Sequence, residues 1–268
     1  MYIEVAAHKG NVAECPENTM PAYKSAYKIG ADMIELDLHM TKDGEIVLIH
    51  DDDLARTANV SGKIRDLTFD EIMRADVGIK RGKEFAGTRV PSLREFCEFV
   101  ANADDKMQFN FEFKDYFSAG EDFAKASADK IIATIDNYGL WDRSFVNSFD
   151  GALLSYIEDK YDGRFRLHGF YPYSILGEVM PKKLYCACLW KDINPDGTPA
   201  FEGVVNPKAD FDALITQGVR PWVGADICTI EDMVRAAKLG AELITSDEPE
   251  FMMAELKRVG LRESGEKK

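Results

Sequence analysis

The chain has 268 residues, with 33 Lys+Arg against 47 Asp+Glu and a formal net charge of −14. Its hydrophobic fraction of 46% supplies enough apolar mass for a sizeable core, and the length suits one large α/β domain. An acidic balance of this size argues against a nucleic-acid groove or an anionic membrane surface as the main partner, because both need net positive patches.

The first eight residues lack a basic stretch followed by a long apolar one, so no signal peptide is read there. No run approaches the roughly eighteen apolar residues that a spanning helix needs, which predicts no stable membrane association. Cys15, Cys97, Cys186, Cys188 and Cys228 lack further Cys or His at zinc spacing. They read as reduced, mostly buried thiols of a cytoplasmic protein.

Strand patterns follow one another at 3–8, 32–39, 45–50, 107–113, 144–148, 164–169, 184–189, 219–223 and 242–245. Helical patterns at 20–29, 93–101, 121–138, 150–160, 209–217, 230–239 and 249–259 separate most of them. Alternating strands and helices predict a parallel sheet with helices outside. The runs at 32–39 and 45–50 are joined only by Met40-Thr41-Lys42-Asp43-Gly44, too short for a parallel crossover and carrying an Asp-Gly turn signal. The second run is therefore the return arm of a hairpin. Removing it leaves eight strands, and the predicted fold is an α/β (β/α)8 TIM barrel with a hairpin extension of strand 2 and a small insertion after it. Residues 1–260 form a single catalytic domain in this reading. Residues 51–90 break the βα rhythm and are expected as an insertion over the catalytic end, and 261–268 as a polar tail that frays.

Three of the four histidines stand at strand ends: His8, His39 and His50. In such a barrel, polar residues at C-terminal strand ends face the active-site mouth. Glu35 and Asp37 are two apart on one strand and so share a face. Two inward carboxylates repel each other strongly unless a positive group lies between them, and a divalent cation answers that need. Asn110, Glu112 and Lys114 share a face of the next strand, where Glu112 can add a third oxygen and Lys114 a phosphate contact. An all-carboxylate set favours a hard ion, Mg²⁺, Ca²⁺ or Mn²⁺, over Zn²⁺. His168 has no motif around it and reads as structural.

The ordered pieces Ala7-His8-Lys9-Gly10, Pro16-Glu17-Asn18-Thr19, Glu35-Leu36-Asp37-Leu38-His39, Thr41-Lys42-Asp43-Gly44 and Leu48-Ile49-His50-Asp51 closely resemble the glycerophosphodiester phosphodiesterase family. Pro91-Ser92-Leu93, Glu112-Phe113-Lys114, Ser148-Phe149-Asp150, Trp222 and the stretch from Gly240 to Pro249 continue the resemblance. It implies a TIM barrel that hydrolyses a small-molecule glycerophosphodiester to glycerol 3-phosphate and an alcohol with one divalent cation. By the same resemblance His8 and His50 are a general acid/base pair, and Glu35, Asp37 and Glu112 are metal ligands. Lys9, Lys114, Glu17, Asn18 and Trp222 are expected on the substrate, with Trp222 packing against the glycerol. His39 is a neighbour of the site.

Three features depart from the family pattern. Lys9 replaces an arginine and loses its two-pronged grip on phosphate. The residues after Trp222 run Val223-Gly224-Ala225-Asp226, and the final strand is one residue longer before Asp247. Two other readings fit the same residues: a related phosphodiesterase acting on lysophospholipid head groups, and a catalytically silent barrel kept as a binding module. Helical faces suit a homodimer, although no interface is identified by the sequence.

Overall fold

The computed structural model describes residues 2–103, 106–191, 194 and 198–263. Among the described residues nine strands run in chain order: β1 (Glu4–Ala7), β2 (Met33–Met40), β3 (Ile46–Leu48), β4 (Gln108–Phe113), β5 (Ser144–Asn147), β6 (Arg166–Tyr171), β7 (Cys186–Leu189), β8 (Arg220–Val223) and β9 (Leu243–Ser246). The helices are α1 (Met20–Lys28), α2 (Phe69–Ile72), α3 (Leu93–Val100), α4 (Glu121–Asn137), α5 (Gly151–Lys160), α6 (Lys208–Thr216), α7 (Ile230–Leu239) and α8 (Pro249–Arg258). Among the described residues, none of these is long and apolar enough to cross a membrane.

The sheet runs β1-β9-β8-β7-β6-β5-β4-β2 through parallel pairs and closes where β1 also pairs with β2. The result is an eight-stranded parallel barrel. β3 lies antiparallel to the upper half of β2, with Leu38 opposite Leu48 and Met40 opposite Ile46. All of β2 is buried, as a strand covered by helices outside and side chains inside must be. Its outward Ile34, Leu36 and Leu38, with Phe109, Phe111 and Phe113 of β4, belong to the main core. Phe96 of α3 meets Phe109 and Phe111 edge-on at 5.6 and 6.2 Å.

Side-chain caps define several helix starts. Thr19 accepts from the Ala22 N–H, Ser92 from Glu95, Thr229 from Asp232, and Asp150 from Ala152 and Leu153. The β6–β7 connection carries only a short helical turn, Tyr173–Leu176. It packs so closely on the start of α5 that a Cβ at Gly151 would lie 2.2 Å from the Val179 carbonyl oxygen. That connection breaks the helix-per-strand rhythm.

Segment 51–90 has a small core of its own. Val47 and Ile49 of the hairpin arm join Leu54, Ala58, Ile64, Ile72, Ala75, Val77 and Val90, all buried, whereas Ile46 and Leu48 join the main core. The return arm thus presents alternate side chains to two cores. α2 opens with a capping box between Thr68 and Glu71.

The expected polar tail needs correction at its beginning. The Leu261 carbonyl accepts from the Ile3 N–H, and Arg262 is only 7% exposed. Its guanidinium pairs with buried Asp32, which also accepts from the Tyr2 hydroxyl and the Val5 N–H. A charge that finds a buried partner leaves the solvent-exposed tail it was read with. Residues 264–268 of that expectation lie outside the described residues.

Candidate active site

β1 and β9 end side by side, with the His8 N–H donating to the Ser246 carbonyl at 3.0 Å. This register brings His8 Nδ1 to 2.6 Å from Asp247 Oδ1. A second pair stands across the mouth, with His50 Nδ1 at 2.7 Å from Asp51 Oδ1. Each carboxylate accepts from Nδ1–H and leaves Nε2 as the nitrogen available for proton transfer. The His50 pair is braced further. Arg56 donates through Nε to Asp51 at 2.6 Å and through both terminal nitrogens to Glu17 at 2.8 and 2.6 Å. His39, buried on β2, is held by Asp115 at 2.9 Å, and its Nε2 lies 3.3 Å from the His50 carbonyl.

Between the two histidines lie three buried carboxylates. The β2–β4 register sets Asp37 directly beside Glu112, with Glu35 two residues back on the same face as Asp37. Oxygens of Glu35, Asp37 and Glu112 all fall within 4.8 Å of one another. Each carboxylate has one oxygen anchored: Glu35 Oε2 by the Lys9 backbone N–H at 2.8 Å, Asp37 Oδ2 by Asn18 Nδ2 at 2.7 Å, and Glu112 Oε2 by Asn147 Nδ2 at 3.3 Å. The other oxygens, Glu35 Oε1, Asp37 Oδ1 and Glu112 Oε1, are buried, and Glu35 Oε1 has no hydrogen-bond partner among the described residues. Lys114 Nζ stands 2.6 Å from Glu112 Oε1 and 3.2 Å from Asp37 Oδ1 as an ion pair.

One ammonium among three buried carboxylates leaves the cluster short of positive charge. Burial, then the charge of Asp37, pushes the Glu35 carboxyl above its ordinary range. Burial acts on Asp37 in the same direction, but Lys114, His50 and Lys9 outweigh it and hold that carboxyl low. Lys114 is raised, with the charges of Glu112 and Asp37 overcoming the opposing effect of its burial. Three converging carboxylate oxygens with anchored backs, two of them sharing the single Lys114 ammonium, are the donor set that a hard divalent cation takes, and the residues fit such an ion.

The entry loop is shaped to make these contacts. Lys9 and Asn18 both adopt left-handed backbone conformations, with φ of 55° and 53°. Such strain in residues other than glycine concentrates at functional sites. Gly10, also at positive φ, packs so tightly on α1 that a Cβ would lie 2.7 Å from Ala22.

A cavity of about 410 Å³ opens beside the cluster, with His8, Glu35, His50, Glu112 and Lys114 on one side. Phe149, Phe170, Leu189 and Trp190 supply an apolar part of its lining. Of the residues expected on the substrate, only Lys114 lines this cavity. Asn18 is occupied with Asp37 and with the Tyr23 hydroxyl, and Glu17 with Arg56. The Lys9 ammonium lies 3.7 Å from Glu17. Trp222 is 0% exposed: its ring stacks on His168 and its indole N–H donates to Thr245. It supports the cavity wall from behind, and Trp190, 47% exposed, supplies the accessible indole. Asp247 lies in the Gly240–Pro249 stretch that carries the resemblance, but its pairing with His8, 239 residues away, was missed. Asp51 directly follows His50 and gave a local signal.

Comparisons with known proteins agree with this arrangement. Residues 8–185 match the Glycerophosphoryl diester phosphodiesterase family. A glycerophosphodiester phosphodiesterase of Caldanaerobacter subterraneus subsp. tengcongensis is 30% identical over 248 residues, which cover 86% of this chain and 97% of that protein. Among solved structures, a glycerophosphodiester phosphodiesterase from Agrobacterium tumefaciens shares the fold with a TM-score of 0.71 at 23% identity, covering 94% of this chain and 99% of the other. An Oleispira antarctica phosphodiesterase, solved with the product sn-glycerol-3-phosphate, aligns with a TM-score of 0.76 at 18% identity, over 96% and 97% of the two chains. The chain thus belongs to the glycerophosphoryl diester phosphodiesterase family and is an enzyme.

Proposed function

We propose that this enzyme hydrolyses glycerophosphodiesters to glycerol 3-phosphate and an alcohol, with His8 and His50 as the acid/base pair. The observation that carries the reading is the cluster of Glu35, Asp37 and Glu112, whose oxygens converge around one ammonium, in a site that also holds two histidine–aspartate pairs. Glu35, Asp37 and Glu112 hold one divalent cation, Mg²⁺, Ca²⁺ or Mn²⁺, which supplies positive charge to the phosphate oxygens. Lys114 adds a second cation from the cavity wall, and Lys9 one from the entry loop.

An attacking hydroxyl, of water or of the substrate's own 2-position, loses its proton to the Nε2 of one histidine. The Nε2 of the other donates a proton to the leaving alkoxide. Where the 2-hydroxyl attacks, the cyclic phosphate so formed is opened by a water molecule, with the two histidines exchanging roles, to give glycerol 3-phosphate. Asp247 and Asp51 keep Nδ1 protonated and stabilise the imidazolium that each cycle forms. Segment 51–90 brings Arg56 to this site and acts as the selecting wall over the mouth. Support comes from its two-sided grip on Asp51 and Glu17.

The test is hydrolysis of a panel of glycerophosphodiesters by the purified protein, with chelation and metal add-back. His8→Ala, His50→Ala and Glu112→Ala should fold normally, and the two histidine variants should lose roughly 10²–10⁴-fold in kcat. Full activity after chelation, or a near wild-type rate in His50→Ala, overturns the mechanism.

A further inference from the structure

Segment 51–90 and the β4–α4 connection, with Phe123 of α4, line a second cavity of about 630 Å³. It shares His50 and Lys114 with the 410 Å³ cavity and no other lining residue. The two spaces therefore meet at one histidine of the acid/base pair and at the ammonium beside the carboxylate cluster. A phosphodiester carries two ester arms, and a phosphate held at Lys114 can send one arm into each.

Most charged groups on the wall of the second cavity are already engaged. Asp115 accepts from His39, from the Met40 N–H and from the Ser127 hydroxyl. Asp51 accepts from His50 and Arg56, and Lys114 is paired with Glu112 and Asp37. Lys63 lies 3.5 Å from Asp52 with both side chains mostly exposed, so that pair is weak and open to exchange.

Arg65 is the exception. Among the described residues its guanidinium has no carboxylate partner, in a chain with 47 Asp+Glu against 33 Lys+Arg. It is fixed in place all the same, lying over the Phe123 ring at 4.5 Å and donating to the Ala119 carbonyl at 2.7 Å. Arg65 belongs to the short helical turn Ile64–Asp66 of the insertion and Phe123 to the first turn of α4, so the side chain bridges two walls of the cavity. The other N–H groups of its fork make no hydrogen bond among the described residues and stand ready for a ligand. A neutral arm gives this cation nothing to pair with, and an ammonium is repelled by it. A carboxylate or a phosphate meets the planar fork and can draw Lys63 across from Asp52.

We propose that the second cavity is a subsite for the leaving alcohol, in which Arg65 selects alcohols that carry an anionic group, a carboxylate or a phosphate. Glycerol is uncharged, so the arm that satisfies Arg65 is the alcohol that differs from one glycerophosphodiester to the next. The inference rests on the hydrolase reading above and adds the class of alcohol that the insertion selects.

The test compares two pairs of diesters, each differing by one anionic group. Glycerophosphoethanolamine is set against glycerophosphoserine, and glycerophosphoinositol against its ring-phosphorylated form. Both pairs are assayed with wild type and with Arg65→Met, which keeps an unbranched side chain over Phe123 and removes the charge. Wild type should favour the anionic member by roughly tenfold in kcat/KM. In Arg65→Met that ratio should fall to within about twofold of unity. Arg65→Gln carries the same comparison if Arg65→Met does not fold. A preference in one pair alone assigns the subsite to that anion. Wild-type ratios at or below unity in both pairs, or ratios that Arg65→Met leaves unchanged, overturn the subsite and leave the hydrolase reading intact. Wild-type inactivity on all four diesters defeats that reading and the subsite together.

Discussion

His8 and Asp247, separated by 239 residues, meet through a 2.6 Å contact across the seam of the barrel. The carboxylate is half exposed, at 55%, and the imidazole 27%. Desolvation by itself would lower the His8 pKa, and hydrogen bonding to Asp247 with the nearby charge of Glu35 outweighs it, so the group is raised. Asp247→Asn should keep the fold and the metal site but release the ring and its tautomer. The expected result is a loss of roughly a hundredfold in kcat with KM little changed. Steady-state kinetics beside a metal titration check this, and unchanged kcat would remove Asp247 from the mechanism.

Arg56 braces the opposite histidine from segment 51–90. Its side chain is 48% exposed, so its ion pairs with Glu17 and Asp51 add little to stability. Arg56→Ala should change unfolding free energy by less than about 1 kcal/mol. Its kcat should nevertheless fall several-fold, because Asp51 then turns freely beside His50. Urea denaturation and kinetics on the same preparation separate the two effects.

The carboxylate cluster predicts opposite responses to charge in the cation-free and cation-bound protein. Burial and Asp37 raise the Glu35 carboxyl, so in the cation-free protein it costs stability increasingly as pH climbs above the ordinary carboxyl range. Glu35→Gln should therefore raise the cation-free Tm at pH 8 and abolish the gain produced by added Mg²⁺ or Mn²⁺. For wild type, a cation at a hundred times its Kd should add about 2.7 kcal/mol. Thermal melts with and without chelator measure both.

His168 gives a pH dependence of the other sign. Its folded pKa is depressed to about 3 by burial, whereas in the unfolded chain it titrates near 6.5. Between these values the unfolded state binds the extra proton, so this contribution to stability is full above pH 6.5 and is lost as pH falls. At pH 5 the loss is about 2 kcal/mol. In His168→Phe the slope of stability against pH between 7 and 5 should flatten by up to one proton.

At the closed end of the barrel, Asp32 and Arg262 are 6% and 7% exposed and joined as an ion pair. Asp32→Ala strands the guanidinium, and a loss of about 3–5 kcal/mol in unfolding free energy is expected. The native fraction should keep its kcat, because the pair lies away from the site.

The strand pattern, the hairpin link and the carboxylate trio were legible because each depends on spacing within a few residues. The period of two set Glu35, Asp37 and Glu112 on inward faces, and the structure brings them together. What remained hidden depends on register between distant strands. Nothing near Asp247 announces His8, and nothing near Arg262 announces Asp32. His168 looked structural because no motif surrounds it; only the β5–β6 register, which sets Asn147 beside it, shows that both line the 410 Å³ cavity. The family resemblance put Trp222 on the substrate, whereas its ring is fully buried and stacks on His168.

The seam where β1 lies between β2 and β9 also dictates when the barrel can close. On the ribosome, β1 emerges early, and the edge it offers to β9 waits for a segment more than two hundred residues downstream. At about 5–20 residues per second, that interval lasts roughly ten to fifty seconds. Throughout it the nascent sheet has an open edge for chaperones to shield, and His8 has no aspartate. Barrel closure and the His8–Asp247 contact then arrive in the same step.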